Sequence, residues 1–308
     1  MLDPRASVVE WIRTNAVANT KATYVTYQKQ YKEYTQAEGL DPSKGEALCS
    51  FMRHGLEERA LSRSTLTKVI PSAVADLFRF ENLSPTDDRA LLRGTKDVIA
   101  RKTKPSVPRK PISRAQLLEM ARVCKNDPTQ VRDVFILLLM FLGFLRESEV
   151  VALQTDDVWI GRAPGQPLEV VYMVIRKSKT DQTGENATIL LSACPGSDLC
   201  PVKWLRHHRR LQPSQGKHLF CAVKGANALS RRTPHQLVRK WLQRIGVNPT
   251  GYGSHSMRRG GATAAVKAKV QMHVVKRHGR WASDAVYLYV VDSDEGKLSL
   301  TQAILGSE

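Results

Sequence analysis

The chain has 308 residues, 42% of them hydrophobic, which is enough for two domains with their own cores and excludes wholesale disorder. Its 47 lysines and arginines outnumber 29 acidic residues, and the net charge of +18 predicts a polyanionic partner, nucleic acid before an anionic membrane. The five cysteines are scattered and odd in number, which favours free thiols over disulfides or a metal centre.

A membrane protein is the weaker alternative. The longest apolar run, residues 134–145, falls short of the roughly 20 residues that a spanning helix needs and predicts a buried helix instead. The first residues do not follow the basic-then-apolar order of a signal peptide. We therefore expect a protein that stays inside a cell and has no membrane contact.

Residues 1–100 predict a helical first domain. The run from 69 to 80 has helical character, and Pro85 prevents its continuation. A stripe of tyrosines at helical spacing is more often half-buried packing than a platform for stacked bases. The tyrosines of this stripe recur at three- and four-residue steps: Tyr24, Tyr27, Tyr31 and Tyr34.

Residues 101–111 predict a basic linker. Three prolines deny this segment a helix and its like charges hold it extended, so it marks the boundary between two domains. A basic tether is also where a protein that encircles DNA would touch phosphate. The predicted DNA contacts are its cations: Arg101, Lys102, Lys104, Arg109 and Lys110.

Residues 112–308 predict a second domain, in which helices surround a small sheet. Ser113 is the predicted N-cap of its first helix. The runs 169–176 and 187–191 are rich in β-branched residues and predict a β-hairpin. The predicted fold class is therefore mainly α with a small β-sheet, a helical domain followed by a mixed α+β domain. Helices are predicted at 113–123, 131–142, 201–211, 234–245, 255–269 and 283–290.

Polar side chains cluster at two places in the first half of this second domain. Arg146 directly follows the most apolar helix, where a cation is costly unless it is paired. Glu149 lies one helical turn further on and can hold the guanidinium. Lys177 and Lys179 lie in the predicted hairpin loop, where lysines usually serve solubility.

Two further clusters lie towards the C-terminus. His255 and Arg258, three residues apart, share a helix face, whereas Arg259 points away from it. We expect Arg259 to meet DNA backbone or an acidic side chain elsewhere. Trp281 and Tyr289, taken singly, are typical of packing and of a surface aromatic.

Together the four clusters contain every group that phosphoryl transfer to a tyrosine needs. Two arginines can bind the non-bridging oxygens of a phosphodiester, and a histidine can take the proton of the attacking hydroxyl. A lysine can protonate the departing sugar oxygen, and a tyrosine can act as the nucleophile. The sequence has neither a metal-ligand cluster nor a phosphate-binding glycine loop, so we expect no cofactor and no metal.

The order and spacing of these motifs resemble the tyrosine recombinase (phage integrase) family. The similarity covers residues 112–290, which correspond to that family's catalytic domain. The helical first domain and the basic linker are similar to the core-binding domain and its connection. The residues that carry the resemblance are Arg146 with Glu149, Lys179, His255-x-x-Arg258, Trp281 and Tyr289.

The resemblance implies a role for each motif residue. Arg146, His255 and Arg258 would bind and activate the scissile phosphate. Trp281 would pack near a non-bridging oxygen or donate its indole N–H to it. In the wider family these groups act on double-stranded DNA, and the protein assembles as a tetramer on two DNA sites.

The same resemblance implies how bonds are broken and made. Lys179 would be the general acid toward the 5′-hydroxyl, and Tyr289 would form the 3′-phosphotyrosyl bond. The implied function is a site-specific DNA recombinase or integrase. Two alternatives stay open: a type IB topoisomerase-like enzyme that nicks and reseals DNA, and a domesticated DNA-binding protein that no longer cuts.

Residues 279–285 look particularly like the recombinases of tyrosine-recombinase retrotransposons and Crypton elements, and the loop 178–184 is similar to theirs. This likeness implies that the protein serves a mobile element. It implies the nucleus as the site of action for a eukaryotic element, and the cytoplasm for a bacterial one.

Some assignments compete. Tyr287 and Tyr289 are two residues apart on a predicted helix and point to nearly opposite sides, so one of them enters the site, and the distance from Trp281 favours Tyr289. The Ser-Lys-Thr context favours Lys179 over Lys177. Whether Tyr289 acts in its own subunit or in a neighbour's stays open.

The roles of His278 and Arg280, which flank Gly279, also stay open. Residues 290–308 would be a tail that docks on a partner, or one that packs on its own domain. The apolar positions that fit a short helix there are Leu298, Leu300, Ile304 and Leu305.

Overall fold

The computed structural model describes residues 4–14, 18–81, 83–105, 107–176, 187–212, 216–222 and 227–290. The chain divides into two compact units, Met1–Val107 and Pro108–Glu308. It is mainly helical with one small sheet, so the predicted fold class is confirmed. Among the described residues, none of the helices has both the length and the apolar content to cross a membrane.

The first unit is built from helices. They are α1 (Pro4–Thr14), α2 (Ala18–Ala37), α3 (Gly45–Glu57), α4 (Ile70–Leu77) and α5 (Arg89–Lys102), with a π-helical turn at Thr65–Val69.

Three of the four tyrosines in the stripe of α2 are packed in or against the core of this unit, as their spacing predicts: Tyr27, Tyr31 and Tyr34. Tyr31 is fully buried, packs edge-on against Phe51, and donates its hydroxyl to the Pro42 carbonyl at 2.8 Å. The Tyr34 hydroxyl lies 2.8 Å from Ser50 Oγ. Both hydroxyls therefore have partners inside the unit, which is the arrangement that buried tyrosines require.

The division between the units falls within the predicted linker, but the linker is not extended throughout. Helix α5 continues through Arg101 and Lys102. The prediction of an extended chain from residue 101 is therefore wrong for these two residues, because Pro105 breaks the helix only after it has passed them. The assignment of the first unit as a core-binding domain stays a prediction.

The second unit surrounds one apolar helix. Its helices are α6 (Arg114–Arg122), α7 (Pro128–Leu142), α8 (Glu147–Ala152), α9 (Pro201–Leu211), α10 (Thr233–Arg244), α11 (His255–Lys267) and α12 (Met272–His278). Its strands are β1 (Val158–Arg162), β2 (Glu169–Ile175) and β3 (Ala187–Ser192), and short 3₁₀ helices cover Thr155–Asp157 and Asp284–Leu288.

Helix α7 is the centre of this unit. Every residue from 131 to 141 is buried, because α9, α10 and α11 all pack against this helix. Asp127 caps its N-terminus by accepting from the Gln130 backbone N–H at 2.9 Å. Ser113 caps α6 in a capping box with Gln116, so that predicted N-cap is confirmed.

The three strands form one antiparallel sheet in the order β1-β2-β3. Val171 faces Ile160 on one side and Leu191 on the other. The predicted hairpin between residues 169–176 and 187–191 is confirmed, whereas β1 was not predicted. Helix 283–290 was predicted as a regular helix, but the chain forms a 3₁₀ turn over Asp284–Leu288.

Candidate active site

A cleft of about 620 Å³ opens in the second unit. It lies where the first residues of α8 and α11 meet the segment 281–289. Residues that are far apart in sequence converge on it. The charged and aromatic residues that line it are Arg146, Glu147, Arg231, Arg232, His255, Trp281 and Tyr289.

Arg146 lies directly before α8 and is bound to Glu149. Its Nη1 donates to Glu149 Oε1 at 2.6 Å, and its backbone N–H donates to Oε2 of the same carboxylate at 2.9 Å. The contact predicted from the three-residue spacing is therefore present. Because the start of a helix leaves backbone N–H groups without partners, an acid three residues on both caps α8 and orients the guanidinium.

Glu149 binds a second guanidinium that the sequence analysis did not assign to it. Arg280 Nη2 donates to Glu149 Oε2 at 2.7 Å, and the glutamate side chain is fully buried. Burial alone would raise the pKa of Glu149. Attraction by Arg280 and the contacts of Arg146 outweigh that effect and hold the pKa below its usual value. The carboxylate is therefore a charged anchor between two arginines.

Arg258 lies beneath the cleft, with 1% of its surface exposed. Its Nη1 donates to the Phe144 carbonyl, and its Nη2 donates to the Gly279 carbonyl at 2.5 Å. Burial, followed by repulsion from Arg146 and Arg280, lowers the pKa of Arg258 to about 9, so the guanidinium remains charged at pH 7.

Two glycines of α11 let this helix approach its neighbours closely enough to place Arg258. A Cβ on Gly260 would lie 2.0 Å from the Ile112 carbonyl oxygen, and one on Gly261 would lie 2.0 Å from that of Phe141. Neither position tolerates a side chain. Gly261 therefore allows the close approach of α11 to the backbone of α7, and Gly260 allows its close approach to the segment before α6.

His255 and Tyr289 meet at the surface of the cleft. His255 is the first residue of α11 and is exposed, and Tyr289 follows the 3₁₀ turn. The Tyr289 hydroxyl lies 3.4 Å from His255 Nδ1. Tyr287 does not line the cleft, and 60% of its side chain is exposed. Tyr289 therefore lines the cleft and Tyr287 does not, and the role of Tyr289 as the nucleophile stays a prediction.

Trp281 joins the buried arginine to the tyrosine. The Arg258 guanidinium carbon lies 4.1 Å from the centroid of the Trp281 ring, and the Tyr289 ring centroid lies 5.2 Å from it. Trp281 also contacts the Phe144 ring at 6.0 Å between centroids. Its face thus carries a cation while its surroundings remain apolar, which is a favourable cation–π geometry.

Arg259 contacts a backbone carbonyl within the protein, and its predicted contact with DNA backbone stays a prediction. Its Nη1 donates to the backbone carbonyl of Leu288, the residue before Tyr289, instead of meeting an acidic side chain. One turn further along α11, Thr263 Oγ1 donates to the Tyr289 carbonyl at 3.4 Å. Two side chains of α11 thus hold the backbone that carries the tyrosine. Sequence reasoning missed both, since a contact to a distant carbonyl leaves no pattern.

His278 and Arg280 support the site from behind. His278 donates from Nε2 to the Leu142 carbonyl at 2.8 Å and packs edge-on against Phe144 at 4.8 Å. Burial lowers the pKa of His278, so the ring is neutral at pH 7. Arg280 binds Glu149, as described above. Neither side chain lines the cleft.

Several predicted residues cannot be assigned a position in the cleft. Lys179 and its competitor Lys177 lie outside the described residues, as does the tail 291–308. Lys102 lies 3.7 Å from Glu57 in the first unit, and Lys110 lies 5.8 Å from the Tyr252 ring in the second. DNA contacts of Arg101, Lys104 and Arg109, like those of Lys102 and Lys110, stay predictions.

Arg231 and Arg232 line the cleft but were not among the predicted residues. Both are exposed and directly precede α10. The available signal was weak: two adjacent arginines before a Thr-Pro helix start, more than twenty residues from any other candidate. Their position in the cleft follows from the packing of α10.

The fold of the chain matches the folds of several solved recombinases. The post-cleavage complex of the XerH site-specific recombinase bound to palindromic difH substrate superimposes with a TM-score of 0.66 at 16% identity, covering 97% of this chain and 83% of that one. The Tn1549 transposon integrase in complex with circular intermediate DNA gives 0.61 at 15% identity, over 95% and 96%. A lambda integrase dimer bound to a COC′ core site gives 0.59 at 15% identity, over 94% of both chains.

The sequence profile described as the phage integrase family matches residues 110–293, which is more than half of the chain. The protein therefore belongs to the phage integrase family, the tyrosine recombinases. The family named by the motif resemblance is confirmed.

Two curated relatives show the extent of the similarity. The integrase/recombinase xerD homolog of Selenomonas ruminantium is 25% identical over 52% of this chain and 47% of its own length. The chain thus spans about half the length of that relative. Tyrosine recombinase XerA of Pyrococcus horikoshii is 25% identical over 94% of this chain and 90% of its own length.

Proposed function

We propose that this protein is a site-specific DNA recombinase that cleaves and rejoins DNA through a 3′-phosphotyrosyl bond on Tyr289. The observation that carries the proposal is the 3.4 Å approach of the Tyr289 hydroxyl to His255 Nδ1 in a cleft that also holds Arg146. Membership of the tyrosine recombinase family supports it. The DNA-bound complexes of XerH, the Tn1549 integrase and lambda integrase support double-stranded DNA as the partner.

In this proposal two guanidiniums stabilise the charge that develops on the phosphate. Glu149 holds Arg146 at the edge of the cleft, where its guanidinium can meet a non-bridging oxygen. Arg258, fixed by two backbone carbonyls, supplies a second positive charge beneath the site. Charges that are fixed before the reaction need no reorganisation, which makes such stabilisation effective.

The tyrosine oxygen attacks the phosphorus, and the bond from phosphorus to the 5′-oxygen breaks. The proton of the phenol passes to the imidazole of His255, and Lys179 gives a proton to the departing 5′-oxygen. A phenol is a weak nucleophile while it keeps its proton, so proton transfer during the attack and nearby cations both matter. The Arg258 guanidinium lies 5.5 Å from the Tyr289 ring.

Rejoining reverses these steps with the 5′-hydroxyl of a partner strand. One phosphodiester is exchanged for another ester of similar energy, so the proposal includes neither a metal nor a cofactor. The resemblance of residues 279–285 to retrotransposon and Crypton recombinases supports a role in a mobile element. With that role we propose a homo-tetramer on paired DNA sites, acting in the nucleus of a eukaryotic host.

The test is the covalent adduct. The substrates are nicked DNA duplexes whose sequences together cover the regions that flank the protein's own gene. When the protein cuts next to the nick, the short strand beyond the cut dissociates, so the strand cannot be rejoined and the adduct is trapped. The wild type and Tyr287→Phe should form it and Tyr289→Phe should not, since Tyr287 lies outside the cleft. Mass spectrometry then identifies the modified residue.

Each other outcome contradicts the proposal in a defined way. An adduct on the Tyr289→Phe protein would overturn the nucleophile assignment. Tight binding of duplexes without any adduct would favour a DNA-binding protein that no longer cuts. Relaxation of supercoiled plasmid that lacks a preferred site would favour the type IB topoisomerase-like activity.

A further inference from the structure

Two arginines of the cleft are not committed to protein partners. Arg231 and Arg232 are exposed on its wall, and neither guanidinium has a hydrogen-bond or ion-pair partner within the part of the chain that the structure describes. Glu147 carries a carboxylate on the same wall and forms no ion pair with either of them. Two positive charges that have no ion-pair partner among the described residues therefore line this space.

The other arginines around the cleft differ in this respect. Arg146 and Arg280 share the buried Glu149, and Arg258 donates to two backbone carbonyls. Their positions are determined by the fold. The adjacent pair before α10 has no such constraint, so its side chains can take the position that an anionic ligand requires.

We propose that Arg231 and Arg232 form a second phosphate-binding position in this cleft, one that holds the backbone phosphate next to the scissile phosphate. This inference rests on the proposed function, because it takes the DNA strand as the ligand. Successive phosphates of a strand follow one another at about 3.4 Å of helix rise, so a strand that places one phosphate by Arg146 and Tyr289 brings a neighbour close. A cleft of about 620 Å³ has room for more than one phosphate group.

Phosphate is a better match for this pair than a base edge. The pair lines the same cleft as His255 and Tyr289, which in the proposed reaction face the sugar–phosphate backbone. Guanidiniums bind phosphate oxygens through two parallel hydrogen bonds, and such contacts position the DNA without reading its sequence. The pair therefore contributes affinity and register.

The first measurement is the salt dependence of DNA binding, made on Tyr289→Phe protein so that cleavage does not interfere. Replacing both residues, Arg231→Gln with Arg232→Gln, should reduce the slope of log K against log salt by about 0.9 or more, the contribution of one neutralised phosphate. The matched control is Arg210→Gln with Arg239→Gln, which removes the same charge from exposed positions outside the cleft wall. An equal change in the control would overturn the proposal.

The second measurement locates the phosphate. Duplexes in which a neutral methylphosphonate replaces one phosphate at a time are bound by the unaltered and the doubly substituted protein. A methylphosphonate next to the cleavage position should weaken DNA binding by the unaltered protein about tenfold. It should have little further effect on the doubly substituted protein, because the arginine–phosphate contact is already lost there. The assignment would be overturned if the double substitution instead removed the effect of a methylphosphonate at the scissile phosphate. It would also be overturned if the double substitution weakened binding to only one base-pair sequence.

The two hypotheses fail separately. If the wild type forms the Tyr289 adduct but no neighbouring phosphate couples to the arginine pair, the second phosphate position is wrong and the recombinase function stands. If the pair couples to a phosphate but no adduct forms, the binding position stands and the proposed reaction is wrong.

Discussion

The guanidinium of Arg258 lies over the ring of Trp281, with its carbon 4.1 Å from the ring centroid, and both residues are buried. A buried cation of this kind must be stabilised by its surroundings. Two carbonyls and one aromatic face perform that task for Arg258. The arrangement links the charge beneath the cleft to the ring that contacts Tyr289.

We expect Trp281→Ala to lower the free energy of unfolding by about 3 kcal/mol or more, because it leaves a cavity and removes the cation–π contact. Trp281→Phe should lose much less, since a ring still covers Arg258. Urea denaturation followed by circular dichroism measures both. The matched control is Trp159→Ala, which removes a half-exposed tryptophan stacked on Tyr172 and should lose about 1 kcal/mol. Equal losses at the two tryptophans would contradict the buried packing.

A methyl group at Gly279 should disturb the site. Its Cβ would lie 1.8 Å from Cζ3 of Trp281, so the ring must move. We expect Gly279→Ala to destabilise the protein by about 1 to 3 kcal/mol and to slow adduct formation. Gly94→Ala in α5 is the control: nothing lies within 4 Å of its added Cβ, and alanine should stabilise that helix by about 0.4 to 1 kcal/mol. Thermal unfolding of the two variants should shift in opposite directions.

Glu149 should make stability depend on acid pH. Its pKa is lower in the folded than in the unfolded protein, so the unfolded chain takes up the proton first as pH falls. Its contribution to stability is complete above the ordinary value of about 4.5 and is lost as the pH falls through the folded value. The free energy of unfolding of wild type should therefore drop more steeply below that pH than that of Glu149→Gln.

The same substitution should also destabilise the protein at pH 7. Glu149→Gln leaves two buried guanidiniums without a charged partner, which costs about 3 to 5 kcal/mol. Glu169→Gln, which removes the partly exposed ion pair with Arg206, should change stability by less than about 1 kcal/mol. A flat acid limb in wild type, or similar effects of both substitutions, would show that Glu149 is not the anchor.

Arg259 should act through the backbone that it holds. Arg259→Gln removes a donor to the Leu288 carbonyl, and we expect adduct formation about tenfold slower because Tyr289 is less well placed. If Arg259 instead contacts DNA, as its charge suggested, the slope of log K against log salt should fall by about 0.9. A slower reaction with an unchanged salt slope identifies a positioning residue, and the reverse pattern identifies a DNA contact.

Interactions within a helical turn could be predicted from the sequence. The three-residue spacing of Arg146 and Glu149 predicted their ion pair, and Ser113 predicted the start of α6. Such contacts depend on a fixed helical geometry, so residue type and spacing are sufficient. Tyr287 and Tyr289 are a weaker case: only Tyr289 lines the cleft, but the chain there forms a 3₁₀ turn in place of the regular helix on which the prediction was based.

The tertiary structure decided the contacts that join distant segments. Arg280 binds Glu149, although the two are 131 residues apart in sequence, and Arg259 donates to the Leu288 carbonyl. Arg231 and Arg232 line the cleft only because α10 packs beside it. The sequence by itself determined which chemical groups were present and which of them were neighbours on one helix. Whether they met depended on how closely α11 approaches α7 and the segment before α6. Gly261 and Gly260 allow these approaches, and their role is visible only when the neighbouring backbones are in place.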